Sequence, residues 1–450
     1  MKLTSHPASR PLSGTVRVPG DKSIGHRALL FSLLSETPVR VRGLGDGADN
    51  GRSARAITQL GAVITRDPSE HGTFVIRGTG LDKMHAPETP IDCGNSGTTI
   101  RLLCGLLAGH PFETTLVGDA SLSSRPMMRV IDPLRAMGAA IDGDRKGDEI
   151  VPPLRIGAAH KPLTPIQRSL EIASAQVKTA IVLAGLYADG ETRITEPGPS
   201  RDHTERMLAY LGAPIFHRGR TVAVDTRSWG RRLAGQGFTV PGDPSSSAFL
   251  VAAAVIAGAQ AEGVRLPGVC VNPTRTGFID AIAQMGGVIE LEDRDESGPE
   301  PTATLVVRGG ARELRATEIA GDLAVRSIDE LPVLAIVAAR ARGTTHVRDA
   351  AELRVKESDR IATTCAMLRA FGVHCEVRPD GFSVEGAPDR PLAAAHVAAD
   401  GDHRIAMAAA IGALVADGPV SIDDADNIAT SYPGFAAALT SLGGRVEPVF

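Results

Sequence analysis

The chain has 450 residues, of which 43% are apolar and 22% charged, a composition that supports a buried core and excludes a disordered chain. One core rarely extends beyond about 300 residues, so we expect at least two domains. The 48 basic and 52 acidic side chains give a net charge of −4, which argues against a protein that binds nucleic acid over its whole surface.

The apolar runs and the cysteines also exclude some classes. The two longest apolar runs, which begin at Phe249 and Ile405, are shorter than the roughly 18 residues that a membrane-spanning helix needs, and no signal peptide is evident at the N-terminus. We therefore predict no membrane segment. Five cysteines without metal-ligand spacing are typical of reduced thiols in a cytoplasmic protein.

A short pattern recurs six times along the chain: two apolar residues three positions apart, then a glycine one residue after the second. The two apolar residues share one helical face, and the glycine falls where a helix would end in a left-handed cap. A strand-like run follows each copy. The spacing fits a βαβαββ unit used six times, with glycines at Gly61, Gly138, Gly212, Gly286, Gly372 and Gly443.

A second repeat divides the chain into two similar halves. VPGDKS at residues 18–23 reappears as VPGDPS at 240–245, and both precede a stretch rich in Ala, Leu and Phe. Because proline and glycine mark turns, we predict two halves of three units each with a junction near residue 240.

The first candidate site is PGDKSIGHR, residues 19–27. The turn PGD is expected to end a strand, and a helix is expected to follow. Ser23 and the free N–H groups of that helix would form an anion site, reinforced by Lys22 and Arg27. A capped surface helix with solvated charges is the alternative explanation.

Two further loops of the first half combine small residues and an arginine. DCGNSGTTIR (92–101) is a glycine-rich turn before an apolar helix, where backbone can approach a ligand at Gly94 and Gly97. Arg125, beside Pro126, could hold a carboxylate or phosphate with two hydrogen bonds. Ordinary turn chemistry and a surface arginine explain the same residues without a ligand.

Polar residues at predicted helix starts complete the first half. Ser174 and Gln176 precede a helix that we expect to run to Leu186. Ser200 is a plausible N-cap of the next helix, with Arg201 beside it. Helix capping alone would account for both serines.

The second half contributes carboxylates. Asp329 and Glu330 precede a long apolar helix, either as N-cap carboxylates or as a general base. RVKESDRI (354–361) is a run of charges, for which a solvated helix face is the common explanation. Arg404, in GDHRIAM, stands at the start of another apolar helix.

Taken together, these loops predict a cationic site that also contains two or three carboxylates. Two of only seven lysines in the chain, Lys22 and Lys356, lie in these loops. Such a site suits small substrates with several negative charges, on which the carboxylates would transfer protons. The sequence contains no Ser–His–Asp order, metal-ligand cluster or Walker motif that would favour another chemistry.

Seven motifs, most of which include the residues described above, occur in the order seen in the 5-enolpyruvylshikimate-3-phosphate synthase family, which the chain resembles from about Arg17 to Phe435. They are PGDKSIGHR, GNSGTTIR, SLSSRPM, DELPVLA, RVKESDRI, DHRIAM and TSYPGF. The resemblance implies an α/β fold of two similar domains, each an inside-out barrel of three βαβαββ units with helices inside, sheets outside and a cleft between the domains. It also implies that the first strand belongs to the second domain. We therefore predict domains 20–240 and 1–19 plus 241–450, with crossings near residues 20 and 240.

The implied reaction moves the enolpyruvyl group of phosphoenolpyruvate onto the 5-hydroxyl of shikimate 3-phosphate and releases phosphate through a tetrahedral intermediate. This is a step of the shikimate pathway to chorismate and the aromatic amino acids. Neither a metal nor a cofactor is implied. The family resemblance further implies a cytoplasmic monomer that binds small molecules, neither nucleic acid nor membrane.

The resemblance also implies residue roles. Asp329 would accept the 5-hydroxyl proton, and Glu357 and Lys22 would handle the proton at the methylene carbon, with the division between them open. Shikimate 3-phosphate would be bound by Lys22, Ser23, Arg27, Ser174, Ala175, Gln176, Ser200, Arg201, Asp329 and Lys356. Phosphoenolpyruvate would be bound by Lys22, Gly97, Arg125, Gln176, Arg360 and Arg404.

Three positions depart from common family patterns. Ala175 replaces a serine and so removes one phosphate hydrogen bond; His203 stands where some members have tyrosine. Thr430 stands where some members have a lysine that contacts phosphoenolpyruvate. In the family, a methyl group at the position of Gly97 crowds the inhibitor glyphosate, so we expect this chain to be sensitive to it.

Three alternatives remain open from the sequence. The enolpyruvyl transferase of peptidoglycan synthesis shares the fold and donor, but usually has Lys-Asn where this chain has Lys22-Ser23. A non-catalytic binding protein on the same fold would bind ligands without turnover. An RNA-end-processing enzyme on a related fold fits poorly with the acidic balance and the few aromatic residues.

Overall fold

The computed structural model describes residues 1–70, 72–309 and 313–449 of the chain. They form an α/β protein whose chain divides into two compact units. The N-unit comprises Lys22–Val240 and Gly298–Glu300, and the C-unit comprises Met1–Asp21, Pro241–Ser297 and Pro301–Phe450.

The described residues contain both helices and strands throughout. The α-helices are α1 Lys22–Leu33, α2 Ala48–Gln59, α3 Gly97–Leu107, α4 Met128–Ala136, α5 Ala175–Gly185, α6 His203–Tyr210, α7 Pro244–Ala257, α8 Gly277–Gln284, α9 Gly321–Arg326, α10 Leu331–Ala339, α11 Arg360–Ala370, α12 His403–Ala413 and α13 Phe435–Ser441. Short 3₁₀ helices span Leu122–Ser124, Ala351–Val355 and Ala425–Thr430. The strands are β1 Lys2–His6, β2 Leu12–Thr15, β3 Val39–Arg42, β4 Val63–Arg66, β5 Thr73–Arg77, β6 Ile91–Asp92, β7 Thr114–Val117, β8 Ile141–Lys146, β9 Glu149–Ile156, β10 Gln167–Ser169, β11 Glu191–Thr195, β12 Ile215–Arg218, β13 Thr221–Asp225, β14 Phe238–Thr239, β15 Ala259–Cys270, β16 Glu290–Asp295, β17 Thr302–Val307, β18 Leu314–Arg315, β19 Glu318–Ile319, β20 Ala341–Val347, β21 Cys375–Arg378, β22 Gly381–Gly386, β23 His396–Ala398, β24 Val420–Asp423 and β25 Arg445–Val449.

Three sheets of one design make up the strands of the N-unit. Their strand orders are β14-β3-β5-β4, β6-β7-β9-β8 and β10-β11-β13-β12. In each sheet the first two strands are parallel and the other neighbours antiparallel. A parallel pair needs a crossover, which α3 and α5 supply. Each sheet with its helices is therefore built on the βαβαββ design, although in the first sheet the leading strand, β14, comes from the end of the N-unit.

The C-unit repeats the same design three times. Its sheets have the orders β2-β15-β17-β16, β18-β20-β22-β21 and β23-β24-β1-β25, with β19 also paired to β20. The first strand of the chain, β1, lies between β24 and β25, where Leu3 is opposite both Ile422 and Pro448. The predicted α/β class and the sixfold use of a βαβαββ unit are confirmed.

The sheets of each unit flank helices that are almost wholly buried. In the N-unit these helices are α1, α3 and α5, and in the C-unit they are α7, α10 and α12. They consist mainly of Ala, Leu, Ile and Val, so each large side chain contributes about 1.5–3 kcal/mol on burial. Close packing also relies on Gly105 of α3, because a Cβ there would lie 2.0 Å from the Ala180 carbonyl oxygen of α5.

The six predicted helix ends are confirmed in detail. All six glycines have positive φ, between 74° and 106°. The N–H of each glycine and that of the next residue donate to carbonyls of the preceding helix: Gly61 to Thr58 and Ala62 to Ile57, for example. These are Schellman caps, which a residue without Cβ forms at little cost. A strand begins within four residues of each glycine.

Two other expectations are tested by the fold. The PGD turn at residue 20 does not end a strand, because β2 ends at Thr15 and Gly20 forms only one isolated bridge, with Gly242. The five cysteines are buried and form no disulfide, as predicted. Within the described ranges, no helix is both long enough and apolar enough to cross a bilayer.

Candidate active site

In the N-unit, the three buried helices begin side by side. The Gln176 side-chain amide, in the first turn of α5, donates to Thr98 Oγ1, in the first turn of α3, at 3.0 Å. Arg27 of α1 donates from Nη2 to Thr179 Oγ1 of α5 at 2.9 Å. Helix N-termini present free N–H groups and the positive end of the helix dipole. This edge of the N-unit therefore favours anions.

Arg27 is buried and held in place by neutral groups. Its Nε donates to Thr204 Oγ1 at 2.7 Å, and its Nη1 to the Ser23 carbonyl at 2.9 Å. Arg201 Nη1 lies 3.4 Å from Ser23 Oγ. Two guanidinium groups thus contact Ser23, one at its carbonyl and the other at its hydroxyl, as is compatible with an anion-binding role for these residues.

Lys22, the first residue of α1, forms an ion pair with an acid that the sequence analysis did not single out. Its Nζ lies 3.1 Å from Asp49 Oδ2, and the lysine side chain is 22% exposed. Asp49 lies in the first turn of α2, a position where acids are common on any helix. The sequence therefore gave no specific signal for this pair.

Ser174 precedes α5 as predicted, whereas Gln176 lies inside the helix as its second residue, after Ala175. Ser174 is the N-cap, with its hydroxyl accepting from the Val177 N–H at 3.4 Å, and the helix reaches its C-cap at Leu186. Ala175 offers only a methyl group. Gln176 Oε1 accepts from Arg101 Nη1 at 3.0 Å, so Gln176 and Arg101 fix α5 to α3.

The prediction that Ser200 caps α6 is wrong. The N-cap of this helix is Asp202, and α6 begins at His203. Ser200 instead donates its hydroxyl hydrogen to Glu196 Oε2 at 2.9 Å. A buried carboxylate is the stronger acceptor, and no sequence motif indicated Glu196.

Arg125 and Gly97 are neighbours in the structure. Arg125 Nη2 donates to Asn95 Oδ1 at 2.6 Å and Nη1 to the Asn95 carbonyl at 3.3 Å. Gly97 opens α3 behind its N-cap, Ser96, and a Cβ at Gly97 would lie 3.2 Å from Arg125 Nη1. The backbone of Gly97 and the guanidinium therefore border one small space.

In the C-unit, three cations surround the carboxylate of Asp329. Arg360 Nη1 is 3.3 Å and Lys356 Nζ 3.9 Å from Oδ1, while Arg404 Nη2 is 3.9 Å from Oδ2. Arg404 also donates to the Asp329 carbonyl at 2.9 Å. The side chain of Asp329 is 13% exposed, so this group is held in a positive environment close to the surface.

Arg360 does not lie on a solvated helix face, so that explanation of RVKESDRI is wrong for this residue. Its side chain is 1% exposed, and its Nη2 lies 2.6 Å from Glu357 Oε2. Asp402 binds it at two points, Nε to Oδ2 at 2.7 Å and Nη2 to Oδ1 at 3.3 Å. Burial opposes ionisation of Asp402, but Arg360 and His403 together outweigh it, so the pKa of Asp402 is lowered.

Asp402 is a residue that the sequence analysis missed. It caps α12 by accepting from the Arg404 N–H at 2.9 Å, and so fixes Arg404 as well as Arg360. An aspartate directly before an apolar helix is a recognisable N-cap signal. Its second partner, 42 positions earlier in the chain, is not visible in such a signal.

The surroundings of Lys356 act on its pKa in opposite directions. Burial lowers the pKa of its ammonium, Asp329 raises it, and Arg360 lowers it further, so that the pKa of Lys356 lies below its ordinary value. The lysine is therefore easier to deprotonate than an exposed one.

Glu330 and Asp329 have separate environments although they are adjacent in the chain. Glu330 occupies the N-cap position of α10 without capping it through its side chain. Its carboxylate accepts the Ser245 hydroxyl and lies 4.0 Å from Arg275 Nη2. The N-cap position predicted for these acids is thus confirmed for Glu330, although its side chain does not cap the helix, and the contacts named above differ between the two carboxylates.

The sequence-predicted residues fall into two groups. The N-unit contains Lys22, Ser23, Arg27, Gly97, Arg125, Ser174, Ala175, Gln176, Ser200 and Arg201, and the C-unit contains Asp329, Lys356, Glu357, Arg360 and Arg404. Within each unit, most members share hydrogen bonds or ion pairs with one another or with the same neighbours. The charged neighbours missed from the sequence are Asp49, Arg101, Glu196 and Asp402.

The fold is that of enolpyruvyl-transfer enzymes, as comparison with a solved structure shows. The EPSP synthase of Acinetobacter baumannii matches with a TM-score of 0.87 and 38% identity, over 99% of both chains.

The family model of EPSP synthase (3-phosphoshikimate 1-carboxyvinyltransferase) matches residues 7–439. Two relatives carry the name 3-phosphoshikimate 1-carboxyvinyltransferase. The protein from Alkalilimnicola ehrlichii is 47% identical over 94% of this chain and 92% of its own, and that from Geobacter sulfurreducens is 46% identical over 99% and 100%. The chain belongs to the EPSP synthase family, as the sequence motifs predicted.

Proposed function

We propose that this protein transfers the enolpyruvyl group of phosphoenolpyruvate to the 5-hydroxyl of shikimate 3-phosphate and releases phosphate. Family membership favours this reaction over transfer to UDP-N-acetylglucosamine and over binding without turnover. The observation that carries the proposal at residue level is the edge of the N-unit where α1, α3 and α5 begin, since it gathers cations and free N–H groups for anionic substrates.

In this proposal, Arg27, Ser23 and Arg201 bind shikimate 3-phosphate together with Ser174, Ala175, Gln176 and Ser200 of the same unit and Lys356 of the C-unit. The support is that Arg27 donates to the Ser23 carbonyl and Arg201 to the Ser23 hydroxyl. Arg125, beside Gly97, binds phosphoenolpyruvate together with Lys22, Gln176, Arg360 and Arg404. Bidentate guanidinium groups suit both its carboxylate and its phosphate.

In this proposal, two acids of the C-unit, Asp329 and Glu357, and Lys22 of the N-unit transfer protons. Asp329 accepts the proton of the 5-hydroxyl while that oxygen bonds to C2 of phosphoenolpyruvate and C3 gains a proton. In the second step the C2–O bond to phosphate breaks, the leaving phosphate takes up the proton that Asp329 accepted, and C3 returns its proton; Glu357 and Lys22 between them supply and remove the proton at C3. The three cations around Asp329 support a role next to anionic substrates. The rate would come from positioning and electrostatics.

An acceptor comparison tests the reaction. Purified protein with phosphoenolpyruvate should release phosphate with shikimate 3-phosphate and not with UDP-N-acetylglucosamine. Release with the nucleotide sugar alone would overturn the proposal, and binding of both substrates without release would favour a binding protein.

Two substitutions test the residue roles. Lys22→Ala and Asp329→Ala should each lower kcat by about 10²–10⁴-fold while the protein stays folded, as judged by circular dichroism. Lys161→Ala and Asp148→Ala, at exposed positions, are matched controls and should retain full activity. Full activity of Asp329→Ala would remove that residue from the mechanism.

We also propose that the enzyme works as a monomer in the cytoplasm. Five buried cysteines without a disulfide are compatible with a reducing compartment. Sedimentation of the active protein as a larger species would overturn the monomer assignment.

A further inference from the structure

A buried charged cluster contacts Ser174 and Ser200, two of the serines assigned to shikimate 3-phosphate. It consists of Lys178 in α5, Glu196 after β11, and Glu205 in α6. Lys178 Nζ lies 2.7 Å from Glu196 Oε2 and 2.7 Å from Glu205 Oε1, and the three side chains are 3–6% exposed. Burying three charges is costly unless each has a partner, so the cluster calls for an explanation.

The two glutamates differ in what else they contact. Glu196 Oε1 accepts from the Ser174 N–H at 3.2 Å, and Oε2 accepts from the Ser200 hydroxyl at 2.9 Å. Among the described residues, neither a backbone N–H nor a hydroxyl donates to the carboxylate of Glu205. Glu196 thus joins the start of α5 to the loop before α6, and Glu205 only balances charge.

Lys178 keeps Glu196 in this position. Lys178 is four residues after Ser174 on the same helix and therefore on the same helical face. Burial disfavours its ammonium, but Glu205 and Glu196 outweigh this and raise the pKa of Lys178. The lysine is therefore charged at neutral pH and anchors the carboxylate between the two serines.

We propose that Glu196, anchored by Lys178, is a positioning residue for the phosphate of shikimate 3-phosphate, because it sets the distance and orientation of Ser174 and Ser200. This inference rests on the proposed function. It acts on binding and leaves the chemistry untouched, since Glu196 itself contacts neither reacting carbon. A carboxylate is needed because one oxygen serves Ser174 while the other serves both Ser200 and Lys178.

Glu196→Gln is the direct test. The amide retains the size and one acceptor oxygen, but its NH₂ group offers only donors to Ser200 and Lys178. The KM for shikimate 3-phosphate should rise about tenfold, the size expected for a lost charged hydrogen bond, with kcat and the KM for phosphoenolpyruvate unchanged. Glu205→Gln, which removes the other charge partner of Lys178, should leave all three constants unchanged. Equal effects of the two variants, or a fall in the KM for shikimate 3-phosphate in Glu196→Gln, would overturn the proposal.

A double variant separates positioning from a general loss of stability. If Glu196 acts through Ser200, Glu196→Gln combined with Ser200→Ala should raise the KM by less than the product of the two single effects. If the KM of the double variant instead rose by the full product of the two single increases, Glu196 would not act through Ser200. Should Glu196→Gln fail to fold, Glu196→Asp keeps the charge but reaches less far, and an unchanged KM there would also contradict the proposal. Absence of turnover by the unmodified protein would instead count against the proposed function.

Discussion

Asp402 binds Arg360 through both carboxylate oxygens, at 2.7 Å to Nε and 3.3 Å to Nη2, and both side chains are inaccessible to solvent. The same carboxylate caps α12 through the Arg404 N–H. One aspartate thus fixes two arginines of the proposed phosphoenolpyruvate site. Because Arg360 and Arg404 both lie next to Asp329, the pair also sets the surroundings of the proposed base.

Asp402→Asn should therefore destabilise the protein as well as weaken substrate binding. Arg360 keeps its ion pairs with Glu357 and Asp329, so the loss is that of charged hydrogen bonds, about 1.5–3 kcal/mol. Urea unfolding should show a decrease of that size in the free energy of unfolding. The matched control is Glu313→Gln, whose pair with Arg342 is more than half exposed and should contribute at most about 1 kcal/mol. Equal stability losses in the two variants would contradict this account.

Acid should weaken the same interaction. The pKa of Asp402 is lowered in the folded protein from its ordinary 3.8, so the carboxylate is stabilising above that value and loses its contribution as the pH falls below it. The free energy of unfolding, measured from about pH 6 down to about pH 3, should fall less steeply in Asp402→Asn than in the unmodified protein. Parallel curves would show that this carboxylate does not contribute to acid unfolding.

The helix ends were predictable from the sequence because they are local. A glycine two residues after the last helical residue determines a Schellman cap from a few neighbouring dihedral angles, and Gly61 and Gly443 behave alike although almost 400 residues separate them. The same reasoning found the starts of α5 and α12. A contact can be predicted from local sequence when all the partners of a residue lie within one helical turn of it.

The partners of buried charges were not predictable in this way. Serine is a residue type that often caps helices, yet the hydroxyl of Ser200 donates to Glu196. Glu196 is a neighbour only because β11 ends beside the start of α5. Arg360 belongs to a run of charges typical of a solvated face, but Asp402 is placed against it by the fold. Such contacts depend on strand order, and local propensity contains no information about strand order.

Lys356→Arg should alter the pH dependence of activity. Burial lowers the pKa of Lys356 below its ordinary 10.5, so binding that needs its ammonium should weaken as the pH rises through that lowered value. A guanidinium stays charged throughout this range, and the alkaline limb of kcat/KM for shikimate 3-phosphate should move to higher pH in the variant. Lys161→Arg, at an exposed position, should leave the limb in place. If the alkaline limb had the same position in the unmodified protein and in both variants, a group other than Lys356 would control that limb.

Gly97→Ala should discriminate between phosphoenolpyruvate and glyphosate. A Cβ at this position would lie 2.7 Å from Arg101 Nη1 and 3.2 Å from Arg125 Nη1, so at least one guanidinium has to move and the space beside Arg125 narrows. We expect the unmodified enzyme to be inhibited well below millimolar glyphosate, and the variant to need at least about tenfold more, equivalent to about 1.4 kcal/mol of binding.

In Gly97→Ala, the KM for phosphoenolpyruvate should rise by a smaller factor than the glyphosate concentration needed for inhibition. Gly51→Ala is the matched control, because a Cβ there meets its nearest neighbour only at 3.8 Å, and inhibition should not change. If the unmodified enzyme already required millimolar glyphosate while binding phosphoenolpyruvate normally, something other than the missing methyl group at Gly97 would have to narrow the pocket. The most direct candidate is then Arg101, whose guanidinium is closest to the position that a Cβ at Gly97 would occupy. Its substitution by lysine should restore inhibition.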